Sequence, residues 1–406
     1  MIHIVDKHKC CGCEACVQAC PKECISLKAD AEGFLYPTAN ASQCVECGLC
    51  ERVCPVTNQS KAQQPLQTYA ATNNNDAIRQ DSSSGGIFTL LAEITIAEGG
   101  VVFGARFNDN WDVEHAYAES IDELAAFRGS KYLQSHIGNT YRQAQRFLND
   151  ERKVLFVGTP CQIAGLKHFL RKDYPNLLTV DIICHGAPSP LVWKKYLDET
   201  ISLNERKNSV SLRPQEVVAN RHAHVEGISF RNKKMGWKKY SFALQLSEAT
   251  ADGEKNTVSL SYIFSENAYM QAFLSNLTLR PSCYYCPTKQ GKSCSDITLG
   301  DFWGIEHIDP TIDDDKGLSL VLINTEKGQQ TLKSLDDCSI KEQPYNKALQ
   351  YNPSIEHSVG VPNYRNLFMS ILIRKGFYSA HRAIFSHSPA LRIKRRLWLT
   401  FHPTQR

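Results

Sequence analysis

Eight cysteines near the start of the chain constrain it more than any other feature. Cys10, Cys13, Cys16 and Cys20, followed by Pro21, form C-x2-C-x2-C-x3-C-P. Cys44, Cys47, Cys50 and Cys54, followed by Pro55, repeat that spacing residue for residue. The x2 spacings let three thiolates converge on one face of a cube, and the loops offer backbone N–H groups to cluster sulfurs. Each proline turns the chain away after the fourth cysteine, because it fixes φ and donates nothing. Zinc sites usually pair one C-x-x-C with another, and disulfides require an oxidising compartment. The run therefore reads as two [4Fe–4S] sites in a ferredoxin-like α+β domain over residues 1–60. Doubled runs of this kind exchange their fourth cysteines. That assigns Cys10, Cys13, Cys16 and Cys54 to one cluster, and Cys44, Cys47, Cys50 and Cys20 to the other. Cys11 and Cys24 fall outside the pattern and read as spare thiols.

At 406 residues the chain is too long for that domain alone. Neither a signal peptide nor a run of ~18 apolar residues is visible, so a cytoplasmic protein is expected. The net charge of +4 is unevenly spread. After Glu356 there are nine Lys and Arg and no acid, which leaves roughly −5 for the rest. An acidic body without a basic, aromatic-laced stripe argues against nucleic-acid binding. The last segment, 346–406, reads as a basic tail. From Arg374 on it should form an amphipathic helix anchored by Leu391, Ile393, Leu397, Trp398 and Phe401. Such a helix suits an acidic partner or a membrane surface, while a solvated tail is the plain alternative.

Between these ends, after a polar linker at 57–67, residues 61–345 alternate strand-like and helix-like stretches. Val101–Ala105 and Val154–Val157 are unbroken apolar runs of buried-strand type, Leu177–Ile183 and Leu318–Ile323 read as two more buried strands, and Ile163–Leu170 has helical spacing. Tyr262–Leu277 also reads as helix, Ser241–Leu246 as an antiparallel strand, and Ser202–Glu226 as a polar insert. The pattern predicts a larger α/β domain with a mixed sheet. In open α/β sheets, ligands bind beyond the carboxyl ends of strands. Three turns rich in small residues qualify: Ser82-Ser83-Ser84-Gly85-Gly86, Gly129-Ser130-Lys131 and Gly158-Thr159-Pro160-Cys161. None matches a phosphate-binding fingerprint, and the first reads equally well as a helix cap.

Cys161 and Cys184 each close a strand, and Cys283-x2-Cys286 adds a pair. Four thiolates from three segments can surround a third cluster, although C-x-x-C also serves zinc and dithiols. Cys294 is a substitute ligand, and Cys338 reads as structural. His185 beside Cys184 is a candidate proton donor, and Asp301, near Trp303, lies where a flavin or substrate would sit. For both, a satisfied structural role is the alternative. The lysines flanking Trp237 (Lys233 to Lys239) read as a phosphate contact or a solvated edge.

Taken together and in this order, the body motifs resemble the family of coenzyme F420 hydrogenase/dehydrogenase beta subunits. The resemblance runs from about residue 68 to 340. It rests on Ser82–Gly86, Arg128-Gly129-Ser130-Lys131-Tyr132, Gly158-Thr159-Pro160-Cys161-Gln162, Asp181–Ser189, Cys283-x2-Cys286 and Asp296–Gly304. It implies an FAD-binding oxidoreductase with Cys161, Cys184, Cys283 and Cys286 as ligands of a third [4Fe–4S] cluster. It also implies flavin contacts from Ser82, Ser83, Ser84, Gly85, Gly86, Gly129, Ser130, Lys131, Thr159 and Pro160. The partners implied are an electron donor or acceptor protein or a deazaflavin, together with a small-molecule substrate. The alternative is a non-catalytic electron-transfer subunit that feeds a partner enzyme, for instance in surface-polysaccharide assembly.

Overall fold

The computed structural model describes residues 1–210, 224–249 and 255–401. In the N-terminal domain, β1 (Ile25–Ala29) and β2 (Leu35–Ala39) pair as an antiparallel hairpin. Asp30 closes it: its Oδ1 accepts from the N–H groups of Glu32 and Phe34, both at 3.0 Å.

The large sheet uses β3 (Gln67–Asn73), β4 (Val101–Phe107), β5 (Val113–Ala118), β6 (Val154–Gly158) and β7 (Leu177–Ile182). A second, three-stranded sheet follows in the chain, built from β8 (His224–Asn232), β9 (Ser241–Ala249) and β10 (Lys255–Ile263). β11 (Ile297–Asp301), β12 (Ser319–Ile323) and β13 (Cys338–Glu342) then return to the first sheet, whose order is β13-β3-β12-β11-β7-β6-β4-β5. Its centre, β4, β6, β7 and β11, is parallel, and the flanking pairs are antiparallel. This is the mixed sheet that the alternation predicts.

The unbroken apolar runs follow from burial on both faces. Val154 and Phe156 of β6 face the helices Thr140–Asn149 and Pro160–Leu170, with the N-terminal domain packed beyond them. Leu155 faces the opposite layer, where the helix Ile87–Ala97 lies. The parallel strands end on one edge, so the residues after β6 and β7, Cys161 and Cys184 among them, arrive there together.

The N-terminal domain is held against the body by specific polar contacts. The Glu14 carboxylate accepts from the N–H groups of Ile137 and Gly138 at 3.1 Å, and Gln18 Oε1 accepts from Tyr141 and Arg142. These side chains satisfy the free N–H groups where the helix Thr140–Asn149 begins. On the other flank, the Glu32 carboxylate pairs with both nitrogens of the largely buried Arg365 guanidinium, at 2.9 and 2.6 Å. The polar linker carries no helix or strand before β3 begins at Gln67, and it is pinned by Gln63 N–H to Gln290 O and Leu66 N–H to Ile323 O.

Several expectations need correction. The expected helix Tyr262–Leu277 is helical only over Ala268–Leu274, because β10 extends to Ile263. Much of the polar insert is regular: the helix Pro190–Val210 enters it and β8 begins at His224, while residues 211–223, His222 included, lie outside the described residues. The single basic helix from Arg374 is instead three helices: Arg365–Lys375, Phe377–Phe385 and Pro389–Phe401. Gly376 (φ 87°) breaks the first, and the Glu199 carboxylate caps the second by accepting from Phe377 and Tyr378 N–H. Phe368, Leu372, Phe377 and Ala380 are buried beside Trp193, Tyr196 and Tyr269. The expected tail is thus part of the body through Phe385, since it closes an aromatic core. Only the last helix presents exposed Arg392, Ile393 and Lys394.

Candidate metal centres

The two cysteine runs share one backbone path. Gly12 and Glu46, just before the second cysteine of each run, and Glu14 and Gly48, just after it, all have positive φ (71°, 52°, 61° and 68°). These left-handed residues fold C-x2-C-x2-C back on itself and start the short helices Ala15–Ala19 and Leu49–Arg52. The result is two hollows. Cys10, Cys13, Cys16 and Cys54 line one. Cys20, Cys44, Cys47 and Cys50 line the other. Each quartet takes its fourth thiol from the other run. Burial, then the nearby Cys10, Cys54 and Cys50 thiolates, pushes the Cys16 thiol well up, as expected where thiols converge. Four thiols ringing a hollow are the all-sulfur donor set that [4Fe–4S] clusters take. Ile2 N–H points at Cys50 Sγ (3.3 Å), a contact of the kind that tunes cluster sulfurs. The supposedly spare thiols also belong here: Cys11 lines the first hollow and Cys24 the second, 3.4 Å from Cys20 Sγ.

The third quartet assembles at the sheet edge. Cys161 sits in the first turn of the helix Pro160–Leu170, Cys184 just past β7, and Cys283 and Cys286 around the turn Pro281–Tyr285. Burial raises the Cys184 thiol; Lys289 opposes this, and the Cys283, Cys161 and Cys286 thiolates add to it. Burial likewise pushes Cys283 up to about 12, against a 3.3 Å hydrogen bond from Ala187 N–H. All four are half-buried, with Cys161 and Cys283 packed at the margins of two core clusters. Cys294 stands apart, with its sulfur against the Lys292 carbonyl, and Cys338 opens β13.

The third quartet adjoins the first. The Cys11 thiol lies close enough to both Cys13 and Cys161 for the three to raise or lower one another's ionisation. Gly165, one turn beyond Cys161, packs so tightly that a Cβ there would stand 2.9 Å from Cys13 Cβ and 3.0 Å from its Sγ. Nothing in the spacing of Cys11 or Gly165 announces this; both act through close approach between segments far apart in sequence.

Around the same edge, Thr159 and Gln162 form a capping box that fixes the start of the Cys161 helix. Gln162 Nε2 donates to Ser135 Oγ (3.0 Å), which lies 2.7 Å from His115 Nδ1. His115 Nε2 is 3.0 Å from the Val157 carbonyl and must be its donor, so Nδ1 accepts from Ser135. Burial lowers the His115 pKa to about 4, keeping it neutral. Lys131 has only the carbonyls of Arg128 and Gly129 as hydrogen-bond partners, and burial lowers its pKa to about 7. Gly129 (φ 78°) faces open space, and Ser83 Oγ accepts from Ser130 N–H at 2.7 Å, with its own proton left to give.

The other serine-loop residues are used up by the fold. Ser82 Oγ donates to Ile78 O, Ser84 Oγ to Leu318 O, and Gly85 N–H to Ser319 Oγ. Gly85 is needed because a Cβ would meet Ala71 O at 2.3 Å, and Gly86 (φ 85°) starts the helix Ile87–Ala97. The expected flavin contacts narrow to Ser83, Gly129, Ser130, Lys131, Thr159 and Pro160. His185 is bonded to Asn276 Oδ1 (2.7 Å) and edge-on to Phe273. Asp301 pairs with the buried Arg231 (2.8 and 3.1 Å) and accepts from Trp237 Nε1 (2.9 Å). Both thus have settled partners in place of a free catalytic proton. Lys233 is buried among the carbonyls of Arg79, Ser84 and Lys316, so it is neither a phosphate contact nor a solvated edge. Arg231, which spacing did not single out, stacks on Tyr240 at 4.0 Å and leaves its buried Nε without a partner.

Known proteins share the division into an N-terminal cysteine domain and a larger body. Residues 9–58 match a 4Fe-4S dicluster domain. Residues 68–140 match the N-terminal domain, and 151–347 the C-terminal domain, of the coenzyme F420 hydrogenase/dehydrogenase beta subunit. The chain belongs to that family of beta subunits. One of the subunits of the F(420)H(2) dehydrogenase of Methanosarcina mazei is 24% identical over 218 residues, 50% of this chain and 61% of the relative. An uncharacterized protein of Methanocaldococcus jannaschii is 27% identical over 200 residues, 41% of this chain and 54% of the relative. The chain thus spans a little over half the length of these curated relatives. A chain of the F420-reducing [NiFe] hydrogenase complex from Methanosarcina barkeri aligns at 16% identity and a TM-score of 0.43, over 79% of this chain and 91% of that one. Among the described residues, no helix is long and apolar enough to cross a membrane.

Proposed function

We propose that this beta-subunit homologue is an iron–sulfur flavoprotein oxidoreductase that moves electrons between its N-terminal clusters and a bound FAD, through a third cluster. The FAD reduces or oxidises a small substrate or a deazaflavin. The observation that carries this reading is the adjacency of three thiol quartets. The outermost includes the exposed Cys47, and the innermost adjoins the first near Cys11 and Gly165 and ends at the strand edge of β6 and β7. Cys161, Cys184, Cys283 and Cys286 would hold the third cluster; Ser83, Gly129, Ser130, Lys131, Thr159 and Pro160 would hold the flavin. The carbonyl-bound Lys131 suits an anionic or electron-rich ligand. A flavin bound there exchanges two electrons with substrate and single electrons with clusters. The chain's own part is spacing and shielding. Tyr141, Gly165 and the Cys161 helix keep water from between the first and third quartets, and the Thr159–Gln162–Ser135–His115 chain fixes the strand-end turn.

The test is reduction of the bound flavin by a reduced one-electron protein donor, in the full chain and in a Cys283→Ser/Cys286→Ser variant. The variant should lose about four irons, by four-cysteine stoichiometry, and keep its flavin, yet reduce it only slowly. Full iron and an unchanged rate would reject the third cluster. Turnover of substrate by the isolated chain separates an enzyme from a subunit that only feeds a partner.

A further inference from the structure

Arg280 is wholly buried, yet no carboxylate is among its partners. Its Nε donates to Cys10 O (2.7 Å). Nη2 donates to Leu35 O (2.9 Å) and points at Cys10 Sγ (3.4 Å), and Nη1 donates to Gln134 Oε1 (3.1 Å). The guanidinium also lies over the Tyr36 ring at 4.3 Å. A guanidinium stays protonated, and a buried charge without an opposite one is strongly unfavourable. The ionisable groups that weigh most on it, Tyr36 apart, are thiols: Cys10 and Cys11 from the first run and Cys283 from the third quartet, with Cys161 also within its field. The chain is shaped to bring it there. A Cβ on Gly12 would stand 2.3 Å from Gln134 Nε2 and 2.8 Å from Arg280 Nη1, so only glycine admits this pair beside the cysteine loop. Arg280 is also three residues from Cys283, and its own N–H is anchored to Ala187 O.

We propose that Arg280 is the shared counter-charge of the first and third clusters, favouring their reduced states over that of the second. For the third cluster the proposal rests on the reading given above. A fixed positive charge beside a centre stabilises the electron it gains and so raises its potential. The second quartet, with exposed Cys47, is not among the groups Arg280 faces. With clusters bound, Arg280 would favour passage of an electron from the second centre inward to the first, with no proton required.

The experiment is an anaerobic potentiometric titration followed by EPR on the full holoprotein, with iron counted in each sample. In Arg280→Gln, the midpoints of the first and third clusters should fall by at least a tenfold change in equilibrium, about 59 mV for one electron. The second should stay in place. Arg280→Lys keeps the charge and should stay near wild type. If Arg280→Gln loses iron, Gln134→Glu decides. It sets a carboxylate beside an intact Arg280 and should lower the same two midpoints. Full iron with unmoved midpoints in Arg280→Gln, or in Gln134→Glu, overturns the proposal, as does an equal fall in Arg280→Lys. About eight irons per wild-type chain, with a shift in the first cluster alone, would remove the third cluster and leave Arg280 acting on the first.

Discussion

Replacing Gly165 by alanine tests whether the helix that delivers Cys161 is pressed against the first quartet. In an ordinary helix interior, glycine to alanine gains about 1 kcal/mol. Here the new methyl carbon would stand 2.9 Å from Cys13 Cβ, 3.0 Å from Cys13 Sγ and 3.0 Å from Tyr141 Oη. These neighbours have little room to yield. Tyr141 is wholly buried and its hydroxyl donates to Gln162 O at 2.8 Å, while Cys13 is fixed between left-handed Gly12 and Glu14. Overpacking of this kind costs about 1–3 kcal/mol. Set against the helical gain, the expected net loss is about 0–2 kcal/mol, with the strain falling on Cys13, a proposed cluster ligand. The assay is the melting temperature of anaerobic holoprotein together with the rate of iron loss to a chelator. Gly360→Ala serves as control, because a Cβ there meets nothing within 4 Å. Gly165→Ala should melt lower and lose iron faster, and Gly360→Ala should match wild type. A Gly165→Ala protein that melts higher and keeps its iron equally well would refute the close approach.

Three further outcomes are expected. His115 is held near pKa 4 by burial, against about 6.5 unfolded, so the unfolded chain binds more protons between those values. Stability should therefore drop as pH falls from about 6.5 to about 4, by about 3 kcal/mol from this group, and His115→Gln should flatten the slope. Lys131 loses its charge above pH 7 or so when no ligand is bound. FAD should then bind more weakly as pH rises through 7, and Lys131→Met should bind about tenfold or more weakly at pH 6, with little pH dependence; equal affinities by fluorescence titration would remove Lys131 from the site. Arg365→Met strands the partly buried Glu32, a loss of about 3 kcal/mol. Proteolysis within the linker at 57–66 should accelerate, and adding Glu32→Gln should restore part of the protection; unchanged cleavage would mean that the pair does not hold the N-terminal domain.

Much of the site was legible because cysteine spacing encodes chain geometry locally. The crossed ligand sets need only the two runs, and the structure rings each hollow with the cysteines that the spacing groups together. The mixed sheet was legible because strands buried on both faces cannot alternate. What stayed hidden depends on packing between distant segments. Gly165, Arg280 and Arg231 carry no motif; their importance lies in what they approach. Ser82, Ser84 and Gly85 misled for the opposite reason, since a serine-glycine turn has the same composition whether it cradles a ligand or clamps β3 to β12. The basic tail misled because charge asymmetry says nothing of Phe377, Ala380 or the Glu199 cap. Nor is the N-terminal domain a separable ferredoxin. Cys13, Cys16, Val53 and Cys50 share one core with Tyr141, Ile163 and Leu166, so a chain cut near Gln64 would bare that face.

The most direct test is iron counted per chain in anaerobically prepared full-length protein, beside Cys161→Ser and Cys184→Ser variants. Three quartets predict about twelve irons in the wild type and about eight in each variant, with the EPR signals of the N-terminal pair retained. About eight irons in all three proteins would show that the thiols at the sheet edge hold no cluster.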